Sequence, residues 1–466
     1  ELEDGDARLA LAALEPLRAE SSKNPDKFFS LRFNQTLGRT YYKLRQYDAA
    51  GAAYEAAIKT AESTLDDIKD GAERLLWLRA TDESYRGLVR VLIEQKRDAE
   101  ALDRWELYRS RPILQVQLLA DAQGAGKRQA KIAQPPAQPA SAAASETRII
   151  YAAFKDGMQI WVSRNGDVRS QWVEVGIKDL ENVTQEFTQK CAIADSGIKD
   201  LHQLGIKLFS IFLQPVISDI SSSRPVIIES DRIAYSMPME ALRSPEGWYF
   251  GEKYSVIYSP GALVEKTLRV PAHVTGQESL LLLDASHVSD AGYLPGLEAQ
   301  RAAIARLFPR TRIIDSVKTN WNQVRAQLAS TQIFHYMGHG KPNGSGTSLD
   351  YDGTQPLRAK DFEPNLLKHT GIAVLAACSG AVGRDNGVAD TNNLTRALLS
   401  AGVPVVIASR WNVDSASTSQ LMVSFYEHLT KNESATQAMY NARVDVLRMN
   451  AHPYFWSGFS LAGRAS

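Results

Sequence analysis

Residues 333–340 read IFHYMGHG, and residues 373–380 read AVLAACSG. Each is an apolar run of strand length that delivers one reactive side chain, His339 or Cys378, to a glycine-bearing turn. Similar runs stand at 226–229, 280–283 and 405–408, and helical periodicity fills 297–307, 321–328, 394–401 and 415–430. Strands that are apolar throughout and alternate with helices predict an α/β fold, a mostly parallel sheet covered by helices on both faces. In open sheets of this kind the reacting groups gather at the carboxyl ends of the strands.

Toward the N-terminus the pattern predicts short strands at 149–154, 159–162 and 171–175, then helices near 178–194 and 201–217. Residues 122–147, AQGAGKRQAKIAQPPAQPASAAASET, lose all aromatics and fill with Gly, Ala, Pro and Ser. That composition predicts a linker, semi-stiff around its prolines. Residues 1–115 predict helix throughout. Two stretches there, YYKLRQYDAAGAAYEAAI at 41–58 and YRGLVRVLIEQKRDAEALDRWELY at 85–108, share an aromatic, a polar turn and alanines at helical spacing. They resemble degenerate tetratricopeptide repeats, whose period is about 34 residues; an ordinary helical bundle is the alternative. Stacked helix pairs bury one face and leave another for a regulatory protein partner. The expected organisation is a helical repeat region at 1–121, a linker at 122–147 and an α/β domain at 148–466.

Acidic and basic residues balance at 53 each, and 44% of residues are hydrophobic. The balance gives no reason to expect direct nucleic-acid binding, and no run approaches the roughly 20 apolar residues of a membrane span. The chain opens at Glu1 rather than Met, so the natural N-terminus is expected upstream; a cytoplasmic location is favoured, with any signal peptide out of view. Two cysteines, Cys191 and Cys378, make no disulfide framework. No H-E-x-x-H or C-x-x-C cluster calls for a metal, and no cofactor is expected.

If the strands before His339 and Cys378 are neighbours, imidazole and thiol face each other at the sheet edge. A base beside a thiol supplies or stabilises the thiolate, which is the nucleophile. The backbone N–H groups of Gly340 and Cys378 are candidates for holding an oxyanion. Each motif alone also has a plain structural explanation. Buried free cysteines are common in cores, and a strand-end histidine is often only a hydrogen-bonded surface residue. Both motifs in one sheet favour the chemical reading. His335 lies inside the strand and can steady the site, whereas Cys191 fits core packing.

Several blocks resemble the CHAT family, caspase-like domains often joined to tetratricopeptide repeats. They are SRPVIIESDRIAYSMPMEAL at 223–242, YLPGLEAQRAAIARLF at 293–308, IFHYMGHG, VLAACSGA at 374–381, and RALLSAGVPVVIASRWNVDSASTSQLMVSFYEHL at 396–429. They stand in the family's order, and the resemblance extends over roughly residues 148–466. The resemblance implies a caspase-hemoglobinase fold, a His339–Cys378 dyad and a peptidase that cuts a protein substrate, with a setting in bacterial defence or regulated self-destruction. It also implies that 407–415, IASRWNVDS, pairs with the substrate backbone and lines the pocket for the residue before the cut. Asp414, Asp390, Arg410 and Trp411 are the candidates there. Asp414 is the first choice, because separase, a relative in the same clan, carries an acidic residue just past the matching Trp. Asp414 is equally placed to cap the following helix. Three positions depart from the family pattern: Gln300 stands where a Glu is usual, Asp390 is the nearest acidic residue after the cysteine turn, and Arg410 replaces an apolar residue before Trp411.

The favoured function is therefore a cysteine endopeptidase targeted or regulated by its helical repeats. The alternative is a catalytically inactive adaptor of the same family that binds protein partners. An α/β hydrolase of small molecules is disfavoured, because no G-x-S-x-G elbow occurs.

Overall fold

The computed structural model describes residues 6–21, 25–68, 71–124, 146–164, 166–221, 224–286, 296–343, 346–352, 355–363, 366–377 and 393–465. It forms a helical N-terminal unit and an α/β unit, which divide near residue 112.

Helices Lys27–Lys43, Tyr47–Asp67, Gly71–Ala80 and Asp82–Glu94, with Asp98–Gly124 as far as Pro112, make up most of the first unit. The Asp26 carboxylate starts the first of these by accepting the N–H groups of Phe28 and Phe29 at 2.8 and 3.2 Å. The turns inside the two look-alike stretches have the same geometry. Arg45 and Lys96 both sit at positive φ, 58° and 61°. The next N–H in each, of Gln46 and Arg97, bonds the carbonyl five residues back, Tyr41 and Leu92, at 2.9 Å. This is a left-handed helix cap of the Schellman type. The two copies stand 96 − 45 = 51 residues apart, wider than the ~34 of a regular repeat, because the extra helix Gly71–Ala80 intervenes. Small residues close the packing. A Cβ added at Gly38 or Gly87 would stand 2.8 or 2.2 Å from the ring of Tyr54, so three helices converge on one buried tyrosine.

In the α/β unit the strands are β1 (Thr147–Phe154), β2 (Gly157–Arg164), β3 (Asp167–Glu174), β4 (Val226–Glu229), β5 (Val256–Tyr258), β6 (Leu280–Ala285), β7 (Thr311–Asp315), β8 (Ile333–Gly338), β9 (Gly340–Asn343), β10 (Gly346–Leu349), β11 (Ile372–Ala376), β12 (Val405–Ser409) and β13 (Phe459–Gly463). Among the described residues, eleven of them form one sheet in the order β3-β2-β1-β4-β5-β13-β12-β11-β8-β6-β7, with β9 and β10 as a separate hairpin. From β12 to β7 every neighbour is parallel. β13 runs antiparallel to β12 but parallel to β5, which with β4 and β1 makes a second parallel block. The fold is thus the predicted mostly parallel sheet flanked by helices, with antiparallel β2 and β3 completing one edge.

Alternation along the strands divides the core. Ile333, Met337, Val374, Ile407 and Leu282 pack on one face with Ile304, Phe308, Leu421 and Phe425. Phe334, Tyr336, Leu375, Val406 and Leu283 pack on the other with Val324, Leu328 and Leu398. Each such side chain contributes about 1.5–3 kcal/mol on burial, and a β8 buried at every position follows. The second parallel block carries a charged knot. Buried Arg148 bonds Glu229, Ser259 (3.2 Å) and both oxygens of Glu265 (3.1 and 2.7 Å).

The helix predicted from 415 starts at Ser415, and helices Leu297–Leu307 and Trp321–Leu328 match their predicted spans. The predicted linker lies almost wholly outside the described residues, between Gly124 and the first strand. No helix among the described residues is long and apolar enough to cross a membrane.

Candidate active site

β8 and β11 are adjacent and parallel, with Met337 level with Ala376. The two signature strands are therefore neighbours. His339 follows β8 directly and is 7% exposed. Its carbonyl accepts the Asp350 N–H and the Tyr336 hydroxyl, both at 2.9 Å, and the same hydroxyl lies 2.6 Å from the Asp350 carbonyl. Gly338 makes this possible. A Cβ there would stand 2.7 Å from the Tyr336 hydroxyl and 3.0 Å from the Ala285 backbone. The His339 Nε2 is buried, and no described residue bonds it. Such an atom costs free energy unless another group meets it.

Gly340 opens the β9–β10 hairpin opposite Leu349. Leu349 exchanges both backbone bonds with Leu357, each at 2.8 Å. The Gly340–Leu349 pair is therefore of the non-hydrogen-bonded kind, and the Gly340 N–H points away from the hairpin. Lys341 and Asp350, next in the hairpin, form an ion pair at 2.9 Å.

Cys378 and Asp390 lie outside the described residues. The residue before the cysteine, Ala377, is buried, and its carbonyl accepts the Ser409 hydroxyl from the end of β12. Cys191 is wholly buried in the core. Burial, reinforced by the nearby Glu240 charge, pushes its thiol well above the ordinary value, so it stays protonated and is a poor nucleophile.

His335 is a core histidine. Its Nδ1 lies 2.9 Å from the Tyr426 hydroxyl and its Nε2 3.5 Å from the Gln300 amide nitrogen. Gln300 accepts in turn from the Ser419 hydroxyl at 3.1 Å. Burial lowers His335 to about 3, so the ring is neutral. A neutral Gln300 suits it, whereas a carboxylate at the same buried position would need a charged partner.

The segment after β12 gathers the remaining candidates. Arg410 is buried with its guanidinium 3.4 Å from both oxygens of Glu240 and over the Tyr258 ring at 4.5 Å. Its charge is already countered. Glu240 also meets Arg443 at 3.1 Å and accepts the Tyr258 hydroxyl at 2.5 Å. Burial raises the Glu240 carboxyl, but Arg410, Arg443 and Tyr258 outweigh that and hold it below the ordinary range. Trp411 is buried beside Gly458. Asp414 caps helix Ser415–Leu429, its Oδ2 accepting the Ser417 N–H at 2.8 Å. No described residue bonds its Oδ1. Glu240 is the member that sequence reasoning missed. It stands in the quoted SMPMEAL block as a lone charge among apolar residues, which was the available signal. Among the described residues no group of three His, Cys, Asp or Glu is arranged to hold a metal.

The model of the CHAT domain family matches residues 202–464, more than half of the chain, and the chain belongs to that family. Mouse tetratricopeptide repeat protein 28 is 25% identical over 216 residues, which is 37% of this chain and 9% of that protein. Two solved structures of the Saccharomyces cerevisiae separase–securin complex, at 3.0 and 2.6 Å resolution, are similar with TM-scores of 0.49 and 0.47 and 11% identity. They cover 95% and 99% of this chain and 38% of the separase-complex chain. The chain thus spans a small part of the mouse relative and well under half of the chain in those structures.

Proposed function

We propose that the chain is a caspase-like cysteine endopeptidase with His339 and Cys378 as its dyad. One observation carries the reading. Met337 and Ala376 are paired on adjacent parallel strands, and His339 and Cys378 each follow two residues later. Parallel strands lie about 4.8 Å apart, and consecutive Cα atoms are about 3.8 Å apart. A strand continuing in register to the same level would bring imidazole and thiol together. The buried, unbonded Nε2 of His339 supports the same reading.

In this mechanism Cys378 gives its proton to His339, the thiolate attacks the scissile carbonyl, and the N–H groups of Gly340 and Cys378 hold the oxyanion. His339 gives a proton to the departing amine as the C–N bond breaks, leaving a thioester. It then takes a proton from water, which hydrolyses the thioester to the acid and restores the thiol. Arg410 is paired with the buried Glu240, which leaves Asp414, three residues after Trp411, as the carboxylate that can meet a substrate charge. Its open Oδ1 favours Lys or Arg before the cut, with Asp390 in reserve. The domain at 148–466 cuts a specific protein, and the helical region at 1–121, beyond the 122–147 linker, targets or regulates it by binding protein.

An unbiased cleavage-site screen on wild type, Cys378→Ala and His339→Ala tests this. Cutting by wild type alone is expected. Cutting by a folded Cys378→Ala protein would end the proposal, and a folded wild type that cuts nothing would favour the adaptor reading.

A further inference from the structure

The buried carboxylate of Glu240 has no part in the mechanism above, yet it holds the residue that opens the segment 410–414. Four contacts fix that segment. The Arg410 guanidinium meets Glu240, the Arg410 N–H donates to the Gly458 carbonyl at 2.7 Å, the Tyr454 hydroxyl donates to the Asn412 carbonyl at 3.2 Å, and Asp414 caps its helix. The first reaches across from 170 positions away, and the Tyr258 ring under the Arg410 guanidinium comes from the same distant stretch. Glu240 is itself immobilised. A Cβ at Gly251 would stand 2.6 Å from the Glu240 Cβ, so the two residues are in tight contact. The Tyr258 hydroxyl that donates to its carboxylate also accepts the Met239 N–H at 2.9 Å.

Charge makes the contact decisive. The cluster holds one carboxylate and two guanidiniums, all at most 3% exposed at the side chain. It therefore carries +1. Removing the Glu240 charge leaves +2, two buried like charges with no counterion between them, and breaking a buried pair from one side is strongly destabilising. Removing the Arg410 charge instead leaves the Glu240–Arg443 pair at zero. Removing both restores +1.

We propose that Glu240 is a positioning residue that sets the segment 410–414 through Arg410, and thereby the pocket that reads the substrate residue before the cut. The pocket part rests on the peptidase reading; the tether does not.

The test uses the full chain labelled with 5-fluorotryptophan, with the Trp411 ¹⁹F resonance assigned by Trp411→Phe. Glu240→Gln and Arg410→Gln should each move or broaden that resonance, and Glu240→Gln/Arg410→Gln should move it no further than the larger of the two, because either change alone already breaks the tether. Should Glu240→Gln fail to fold, Arg410→Gln carries the test, because it leaves the Glu240–Arg443 pair intact. On a peptide from the cleavage screen, Arg410→Gln should raise KM about tenfold or more with kcat within about twofold. The alkylation rate of Cys378 by iodoacetamide should stay unchanged. A Trp411 resonance unmoved in a folded single variant overturns the tether. A resonance that moves in a protein whose wild type cuts no peptide upholds the tether and overturns the peptidase reading instead.

Discussion

Gly338→Ala measures how tightly the turn before His339 is built. The added Cβ would meet the Tyr336 hydroxyl at 2.7 Å and the carbonyl carbon and Cβ of Ala285 at 3.0 Å. The Ala285 contacts involve the neighbouring strand β6, which is paired with β8 at this point and cannot retreat cheaply. Overpacking of this kind costs about 1–3 kcal/mol. Displacing the Tyr336 hydroxyl also weakens its bonds to the His339 and Asp350 carbonyls, at about 1 kcal/mol each. The sum is about 3–5 kcal/mol. Tyr336→Phe alone removes the hydroxyl and should cost about 1–3 kcal/mol. In the Tyr336→Phe background Gly338→Ala should cost less, because the nearest clash is gone and those bonds are already lost. The expected coupling is about 1–2 kcal/mol. Urea unfolding of wild type, both single variants and the double variant, followed by tryptophan fluorescence, provides the cycle. Additivity within about 0.5 kcal/mol would refute the assignment of the glycine to the tyrosine hydroxyl.

Asp414→Asn and Asp414→Ala should separate capping from charge. Asparagine preserves the bond to the Ser417 N–H and stability, while alanine costs about 1 kcal/mol; both should lower kcat/KM on Lys or Arg substrates equally, and full activity of the folded Asn variant would exclude the carboxylate from recognition. His335 gives a pH signature. Its folded value of about 3 lies below the ~6.5 of an unfolded histidine, so the unfolded state binds the extra proton between those limits. Stability is unaffected above pH 6.5 and falls as pH drops toward 3, by an amount on the order of 4 kcal/mol. His335→Gln should flatten that part of the profile in denaturant titrations at pH 7 and pH 4, and an unchanged slope would contradict a neutral buried imidazole.

Much of the architecture was legible where a local rule decides it. β8 and β11 announce themselves because strands buried on both faces are apolar at every position. Asp414 is visible as a helix cap three residues before the N–H it receives. What escaped depends on distance along the chain. Phe459–Gly463, with Ser, Ala and Gly, looks weak as a strand, yet it sits mid-sheet because β12 and β5 pair with it on either side. Thr311–Asp315 is half-exposed and polar because it is an edge strand, so its sequence lacks the apolar run. Arg410 stood among the pocket candidates, because nothing near it in sequence reveals Glu240. The sequence already places His335 inside the strand and His339 at the turn, but the partners that fix the His335 ring, Tyr426 and Gln300, come only from packing.

The polarity reversal between β12 and β13 has a practical consequence. The carboxyl ends of β6, β8, β11 and β12 open on one rim of the sheet, and those of β4, β5 and β13 on the opposite rim. A five-residue strand separates the rims by about 16 Å. Glu229 ends β4 and Ser259 follows β5, so the Arg148 knot lies at the far rim. Within the α/β unit, a probe placed at that far rim would therefore stand about 16 Å from the histidine rim and report on a separate edge of the same sheet.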